Sequence, residues 1–484
     1  MKDLALSALE AATGPEVSYA DVRAIEIRDR QIATKNGKVG HASNNESMGI
    51  GIRVLAGGCW GFAATDDLTK SGISSAAALA REIARASTAA RKENVVLAPE
   101  QKYEATWVSP CRIDPFSISV DQQLATLLAV DAELRRVDGV SLAEAAMHFE
   151  RRRQVFASTL GSVIDQTRYT AGAGFSALSY KEGEIQRRSY PNSFGGQYQL
   201  KGYELIEELR LVENAPRIAE EAVALHAADQ CPEGEFDLIL DSSQLGLQIH
   251  ESIGHPIELD RVLGSEANYA GMSFLTLDQL GRLRYGSEIV NVVCDARLEH
   301  GPGLGTFAFD DEGVPAQSTD IIRNGRFRGY MTSRETAARV GEERSNGCMR
   351  ADGWARLPLI RMTNVSLEPG SETLEEVFDS PHAIYLETNR SWSIDDKRFN
   401  FQFGCEIGWE IRNGKRVRML KNPSYSGITT EFWNACAAIA GPEHWTLWGV
   451  PNCGKGQPEQ VMGTGHGASP ARFHKIKIGS AYAG

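Results

Sequence analysis

His250, Glu251 and His255 place two imidazoles and a carboxylate within six residues, and this motif constrains the local fold more than any other part of the chain. Neutral imidazole is the commonest protein ligand of zinc, and a neighbouring carboxylate can accept a proton from water. On an α-helix, however, residues five positions apart point about 140° away from each other. A regular α-helix therefore cannot present both histidines to one metal ion.

Gly254 and Pro256 flank the second histidine, and both residue types favour a distortion of the regular helix. Glycine tolerates unusual backbone dihedrals, and the residue before a proline is disfavoured in the α-helical region. We therefore predict a short helix that carries His250 and Glu251 and is broken or bulged around His255. A regular α-helix through His255 would contradict this prediction.

The composition is that of a soluble globular protein with more than one domain. The chain has 484 residues, with 42% hydrophobic and 24% charged residues. A net charge of -12 and the lack of a basic cluster argue against a nucleic-acid partner. Asp3 and Glu10 interrupt the apolar N-terminus, and no run reaches the ~18 apolar residues of a membrane span. The eight cysteines show no disulfide-framework spacing, so we expect a cytoplasmic protein.

The order of helical and alternating segments predicts an α+β chain of two domains. An N-terminal α+β domain with strand meanders and helices is expected at residues 1–230, and a β-rich C-terminal domain that carries the metal site at residues 231–484. Strands are predicted within residues 17–66, 140–200 and 236–240, and helices at residues 68–92, 120–136, 202–228 and after residue 241. Asp241, Ser242 or Ser243 would cap the last helix.

A catalytic zinc site needs a third protein ligand, and spacing alone leaves several candidates open. They are Glu258, Asp260, Cys294, His300, Cys453 and His466. Proximity to His255 favours Glu258. Cys453 has the better environment, because it lies in a predicted loop where Gly454 and Gly456 let the backbone wrap closely and Lys455 would favour its thiolate. A cysteine protease with Cys453 as nucleophile and His466 as base is an alternative, but it leaves the histidine motif without a role.

Several separated segments resemble the TldD/PmbA family of metallopeptidases, also called modulators of DNA gyrase. The resemblance runs over nearly the whole chain and is more specific than the histidine motif alone, because the segments occur in the same order. They are GIGIRV at residues 49–54, HESIGHPIELD at 250–260, EANYAGMSF at 266–274, DDEGVPA at 310–316, RMTNVSLEPG at 361–370, CGKGQP at 453–458 and GHGASPARF at 465–473.

The resemblance implies that His250, His255 and Cys453 hold a zinc ion and that Glu251 is the general base for a zinc-bound water. It is a resemblance to the catalytic, TldD-like branch, since the PmbA-like (TldE) branch lacks the histidine motif. The family further implies hydrolysis of peptide bonds in unfolded polypeptides or small peptides, by a homodimer or a heterodimer with a PmbA/TldE-like subunit. Two different functions stay open beside it: a specialised amide hydrolase that processes a small peptide-derived metabolite, and a non-catalytic regulatory or assembly subunit.

Overall fold

The alternating residues 17–66 form three antiparallel strands in the computed structural model, which describes residues 1–269 and 271–480. The first two strands meet at Asn36 and Gly37, whose φ angles are 48° and 75°. A two-residue hairpin turn requires positive φ, and Asn-Gly adopts it at low cost. The strands of this half of the chain are β1 (Val17–Lys35), β2 (Lys38–Ala56), β3 (Cys59–Thr65), β4 (Glu104–Val108), β5 (Val140–Ser158), β6 (Val163–Lys181), β7 (Glu184–Tyr190) and β8 (Gln197–Gln199).

Within the described residues these strands form one eight-stranded sheet in the order β3-β2-β1-β5-β6-β4, with β7 and β8 both paired to β6. Its helices are α1 (Lys2–Ala12), α2 (Lys70–Ser87), α3 (Val120–Arg136), α4 (Glu204–Leu209) and α5 (Leu211–Ala224). α1 and α2 bury alanine-rich faces against one part of the sheet, and α3, α4 and α5 cover another part. The predicted mixture of strand meanders and helices is confirmed.

The helix predicted over residues 202–228 is interrupted at Arg210, which corrects the prediction. Arg210 has φ 47° and ψ 50°, in the left-handed region, so α4 ends before it and α5 begins after it. The hydroxyl of Tyr190 donates to the carbonyl of Leu209 over 3.0 Å and replaces one of the helical hydrogen bonds lost at the break. Both pieces bury apolar residues in the same core cluster.

The remainder of the chain is rich in strands, as predicted. The helices are α6 (Ser242–Ile249), α7 (Leu259–Val262), α8 (Leu374–Phe378) and α9 (Thr429–Asn434). The strands are β9 (Asp229–Gln230), β10 (Gly234–Leu240), β11 (Val292–Asp295), β12 (Ser318–Arg323), β13 (Arg326–Phe327), β14 (Met349–Arg350), β15 (Leu359–Ile360), β16 (Asn364–Leu367), β17 (His382–Ile394), β18 (Asn400–Arg412), β19 (Lys415–Lys421), β20 (Pro423–Ile428), β21 (Cys436–Ile439), β22 (Thr446–Lys455), β23 (Gln460–Ala468) and β24 (Ala471–Ser480).

Two sheets organise this second half. In the described range, one has the order β17-β10-β24-β20-β18-β19-β9, with β21 beside β24, and the other has the order β13-β12-β11-β16-β23-β22. α6 follows β10 and packs against β22 and β23, so it links the two sheets. The α+β class is therefore confirmed. We propose that the domain boundary lies close to residue 230, because no strand before β9 joins these sheets.

A helix that crosses a bilayer must be both long and apolar. None of the helices in residues 1–269 and 271–480 combines the two properties.

Candidate metal centre

Asp241 lies between β10 and α6 and caps the helix that leads to the histidine motif. Its carboxylate accepts hydrogen bonds from the backbone N–H of Ser243 over 2.8 Å and of Gln244 over 3.1 Å. Of the three predicted caps, Asp241 is therefore the one used. Every residue of α6 is buried, so the histidine motif at its end lies in the protein interior.

The motif itself forms a π-helical turn, His250–Gly254, at the end of α6. The backbone N–H of His255 donates to the carbonyl of His250 over 3.1 Å, a bond between residues five apart. This wider turn brings the two imidazole centroids to 4.8 Å. A Cβ at position 254 would lie 2.1 Å from Sδ of Met362, so a larger residue there would require the Met362 side chain to move. The predicted bulge is confirmed, but His255 keeps helical dihedrals, φ -66° and ψ -42°, so the expectation that the residue before Pro256 leaves the helical region is wrong.

The structure brings His250, His255 and Cys453 together, although Cys453 is distant in the sequence. Their potential ligand atoms all lie within 4.8 Å of one another, and the three residues are 3%, 5% and 4% exposed. Sγ of Cys453 lies 3.8 Å from Nε2 of His255. Cys453 lies on β22 beside a bulge in its pairing with β23, so the prediction of a loop around it is wrong. These three donors can hold one metal ion.

Hydrogen bonds to the outer nitrogens orient both imidazoles. Nδ1 of His466 lies 3.0 Å from the carbonyl of Val365, which only accepts, so this nitrogen carries the proton. Nε2 of His466 is then the acceptor for Nδ1 of His250, at 2.8 Å. Nδ1 of His255 donates to Glu258 over 3.1 Å. Both predicted ligands therefore keep the lone pair on Nε2 for a metal, as is typical of metal-binding histidines.

Glu258 and Asp260, two of the candidates for the third ligand, lie behind the cluster. Oε2 of Glu258 contacts His255 and Nε of Arg261, the latter at 3.2 Å, and its Oε1 lies 3.4 Å from Nζ of Lys455. Asp260 accepts a hydrogen bond from the same Nζ over 2.7 Å. The two carboxylates therefore belong to a buried ionic network that supports His255.

Cys294 and His300 are also separated from the cluster. Sγ of Cys294 lies 3.0 Å from a threonine hydroxyl, and Nε2 of His300 lies 2.9 Å from a serine hydroxyl. Among the described residues, the sulfur of Cys453 contacts the imidazole of His255. The imidazole of His466 is bonded to His250 and makes no hydrogen bond with that sulfur. The geometry thus gives no support to a Cys453–His466 protease dyad.

Burial and nearby charges shift the pKa values of all three donors toward their metal-binding forms. Burial lowers the pKa of His250 to about 4 and also lowers the pKa of His255, so both rings are neutral near physiological pH. Burial raises the pKa of the Cys453 thiol, but Arg361 and His255 outweigh it, and the net pKa is lowered. The role predicted for Lys455 is therefore wrong: Lys455 is paired with carboxylates, and Arg361 is the cation that favours the thiolate.

Glu251 is buried beside the donors and is held by a residue that the sequence did not indicate. Its Oε2 accepts a hydrogen bond from Nη1 of Arg398 over 2.5 Å. Arg398 lies in the turn between β17 and β18 with φ 63°, and the hydroxyl of Thr429 donates to its carbonyl. No motif or periodicity marks this charged turn, so only the fold reveals its contact with Glu251.

Models of one protein family match three successive parts of the chain. They are described as PmbA/TldA metallopeptidase domain 1, which matches residues 20–84, the central domain, which matches residues 113–228, and the C-terminal domain, which matches residues 233–480. The C-terminal match contains His250, His255 and Cys453.

Relatives with similar sequences carry consistent names. A "Metalloprotease" of Methanothermobacter thermautotrophicus is 28% identical over 464 residues, which cover 96% of both chains. A "Metalloprotease TldD homolog" of Haemophilus influenzae is 24% identical over 96% of this chain and 93% of its own. A "Zinc metalloprotease TldD homolog" of Saccharolobus solfataricus is 29% identical over 51% of this chain and 52% of its own.

Solved structures show the same fold. A Thermotoga maritima protein named as a modulator of DNA gyrase has a TM-score of 0.74 and 16% identity, covering 95% of this chain and 96% of its own. TldE from Thermococcus kodakarensis has a TM-score of 0.71 and 15% identity, covering 99% of both chains. At these identities the likeness concerns the fold alone.

Proposed function

Because this chain belongs to the PmbA/TldD metallopeptidase family, we propose that it is a zinc-dependent peptidase. In this proposal His250, His255 and Cys453 hold the metal, and Glu251 is the general base. The observation that carries the proposal is the convergence of three buried donors, from two distant segments, beside a carboxylate. Relatives named as metalloproteases, one of them a zinc metalloprotease, support it.

The chemistry of the donor set fits zinc. Two neutral imidazoles and a thiolate are typical zinc ligands, and three protein ligands leave a fourth position open. With two neutral imidazoles and one thiolate as ligands, a bound zinc ion would keep one net positive charge. When bound, zinc would supply Lewis acidity, which polarises the scissile carbonyl and makes water a stronger acid.

Glu251 would move the proton during hydrolysis. As water attacks the carbonyl carbon, Glu251 accepts a proton from it, and then returns this proton to the amine nitrogen that leaves when the C–N bond breaks. Arg398 occupies Oε2 of the carboxylate, which leaves Oε1 to accept the proton. Arg398 is therefore a positioning residue for the base.

The surroundings of the site favour extended substrates. β22, which carries Cys453, lies at the end of its sheet in the described part of the chain, but side chains of Gln197 and Arg361 already bond to its outer backbone at Leu447, Gly449 and Cys453. The case for extended substrates therefore rests on burial: His250, His255 and Cys453 are at most 5% exposed, so only a narrow, extended chain can reach them. Unfolded polypeptides and small peptides would fit this arrangement, whereas folded proteins would not reach the buried donors.

The proposal predicts zinc-dependent cleavage of unfolded polypeptides and short peptides. The purified, zinc-loaded chain is incubated with an unfolded polypeptide, the same polypeptide folded, and a set of short peptides and small amides. Cleavage of the unfolded form and the peptides is expected, with loss after chelation and recovery when zinc returns. Cleavage confined to one small amide would favour the specialised hydrolase, and no cleavage by zinc-loaded protein would favour the non-catalytic subunit.

We also propose that the active form is a dimer, either a homodimer or a heterodimer with a PmbA/TldE-like subunit. The shared fold with TldE supports such a partnership. None of the eight cysteines, all of them in the described residues, is in a disulfide, which supports our proposal of a location in the reducing cytoplasm.

Arg398→Gln is expected to lower kcat/KM roughly 10- to 100-fold while zinc remains bound, because the orientation of Glu251 is lost. Arg398→Lys keeps the cation and is expected to recover part of the activity. Lys397→Gln, which removes an exposed charge from the same turn, is the matched control and is expected to behave like wild type. If kcat/KM of Arg398→Gln equalled that of wild type, Arg398 would not be a positioning residue for Glu251.

A further inference from the structure

A cavity of about 230 Å³ lies between the N-terminal sheet and the β22–β23 hairpin. Three arginines, Arg152, Arg168 and Arg350, contribute to its wall, and Thr170 and Tyr198 add hydroxyl groups. None of the four residues of the proposed active site lines it. The proposed hydrolysis therefore gives this concentration of positive charge no role.

Two of the arginines face each other because of strand register. Arg152 of β5 lies directly opposite Arg168 of β6. Like charges in this position destabilise a sheet, and buried charges are normally paired. Burial and the charge of Arg152 lower the pKa of Arg168, which reflects this repulsion. Arg350 brings a third guanidinium to the same space, so the three arginines concentrate more positive charge than one neighbouring carboxylate can balance.

Hydrogen bonds to backbone carbonyls do not supply a balancing negative charge. Arg350 is 4% exposed and donates to three carbonyls, and its Nε is buried with no partner in the described residues. Arg152 donates to two further carbonyls. Among residues 1–269 and 271–480, the guanidinium of Arg168 has neither a hydrogen bond nor an ion pair. It is the group best placed to bind an incoming anion.

The neighbouring carboxylates are largely engaged elsewhere. Oε1 of Glu150, on the cavity wall, lies 3.4 Å from Nε of Arg152. Asp311 is bonded to a glutamine amide and a backbone N–H and lies 3.7 Å from Nη1 of Arg23. Asp310 accepts hydrogen bonds from three backbone N–H groups. Glu150 and Asp311 both raise the pKa of Arg168, so these two carboxylates balance only part of the positive charge of the three arginines.

We propose that this cavity binds an oxyanion, a carboxylate or phosphate group, among Arg152, Arg168 and Arg350. Planar guanidinium groups bind these anions through paired N–H donors. The cavity is smaller than the ~300–1,000 Å³ of drug-sized pockets, so its ligand is a small anion or the charged end of a short peptide. The site is separate from the proposed peptidase chemistry, and either proposal can fail without the other.

Calorimetric titration of the zinc-loaded chain at low salt tests the proposal. The probes are inorganic phosphate and N-acetyl-dialanine with a free C-terminal carboxylate, and the C-terminal amide of the same peptide is the neutral control. Saturable binding of phosphate, of the acid, or of both is expected, with no binding of the amide, and the anion that binds identifies the source. Arg168→Gln is expected to weaken this binding at least about tenfold.

Arg153→Gln is the matched control, because it removes the same charge from the opposite face of β5, where Arg153 pairs with Asp165 at 2.7 Å. It is expected to leave anion binding unchanged. Arg168→Lys keeps the charge without the planar fork and is expected to bind with intermediate affinity. Equal affinity in Arg168→Gln and Arg153→Gln, or no saturable binding of either anion to wild type, would overturn the proposal.

Discussion

Glu251→Gln is expected to lower kcat by about 10²- to 10⁴-fold while zinc content stays at the wild-type level. Glutamine keeps the size of the side chain and an oxygen for Arg398, but it cannot accept a proton from water. Glu251 is not one of the three clustered donors, so zinc is expected to remain. Steady-state hydrolysis of an unfolded polypeptide and metal analysis of the same sample provide the two measurements.

Both measurements are needed because Glu251 is adjacent to His250. Full hydrolysis in Glu251→Gln would assign the base to another residue, and loss of zinc would make Glu251 a ligand instead. Glu235→Gln, which neutralises an exposed carboxylate on β10, is the control and is expected to keep full activity.

Cys453→Ser is expected to lower zinc affinity by more than about 100-fold, and activity with it. Loss of a direct ligand exceeds the 10- to 100-fold typical of residues that only support a ligand. The serine hydroxyl stays protonated near neutral pH, whereas Arg361 and His255 favour the Cys453 thiolate. Competition with a chromophoric zinc chelator measures the affinity.

Cys294→Ser is the matched control for this variant. Cys294 is also buried, and it is one of the ligands that spacing alone leaves open, but the structure places it against a threonine hydroxyl. Zinc affinity close to wild type is expected. If Cys294→Ser lost zinc and Cys453→Ser retained it, the assignment of the sulfur ligand would be reversed.

Local physical rules predict those features of the fold that depend only on residues close together in the sequence. The cap at Asp241 follows from an acidic residue between an apolar strand and a helix. The π-helical turn follows from the five-residue spacing of His250 and His255, together with glycine at position 254. These predictions hold because each depends on a few bonds within one or two helical turns.

Contacts between residues that are far apart in the sequence cannot be predicted from such local rules. Spacing favours Glu258 and local environment favours Cys453, and only the family resemblance chooses between them before the fold places the cysteine beside His255. Lys455 is two residues from Cys453 in the sequence, yet its Nζ turns toward buried carboxylates. The partner of Glu251, Arg398, comes from a hairpin turn that carries no sequence signal.

The zinc K-edge X-ray absorption spectrum of the purified wild-type chain tests the central claim most directly, because it reports the atoms bound to the metal. His250, His255 and Cys453 predict one sulfur neighbour at about 2.3 Å and imidazole nitrogen neighbours at about 2.0–2.1 Å. A zinc ion surrounded only by oxygen and nitrogen, or a chain that binds no zinc when zinc is supplied, would contradict the account.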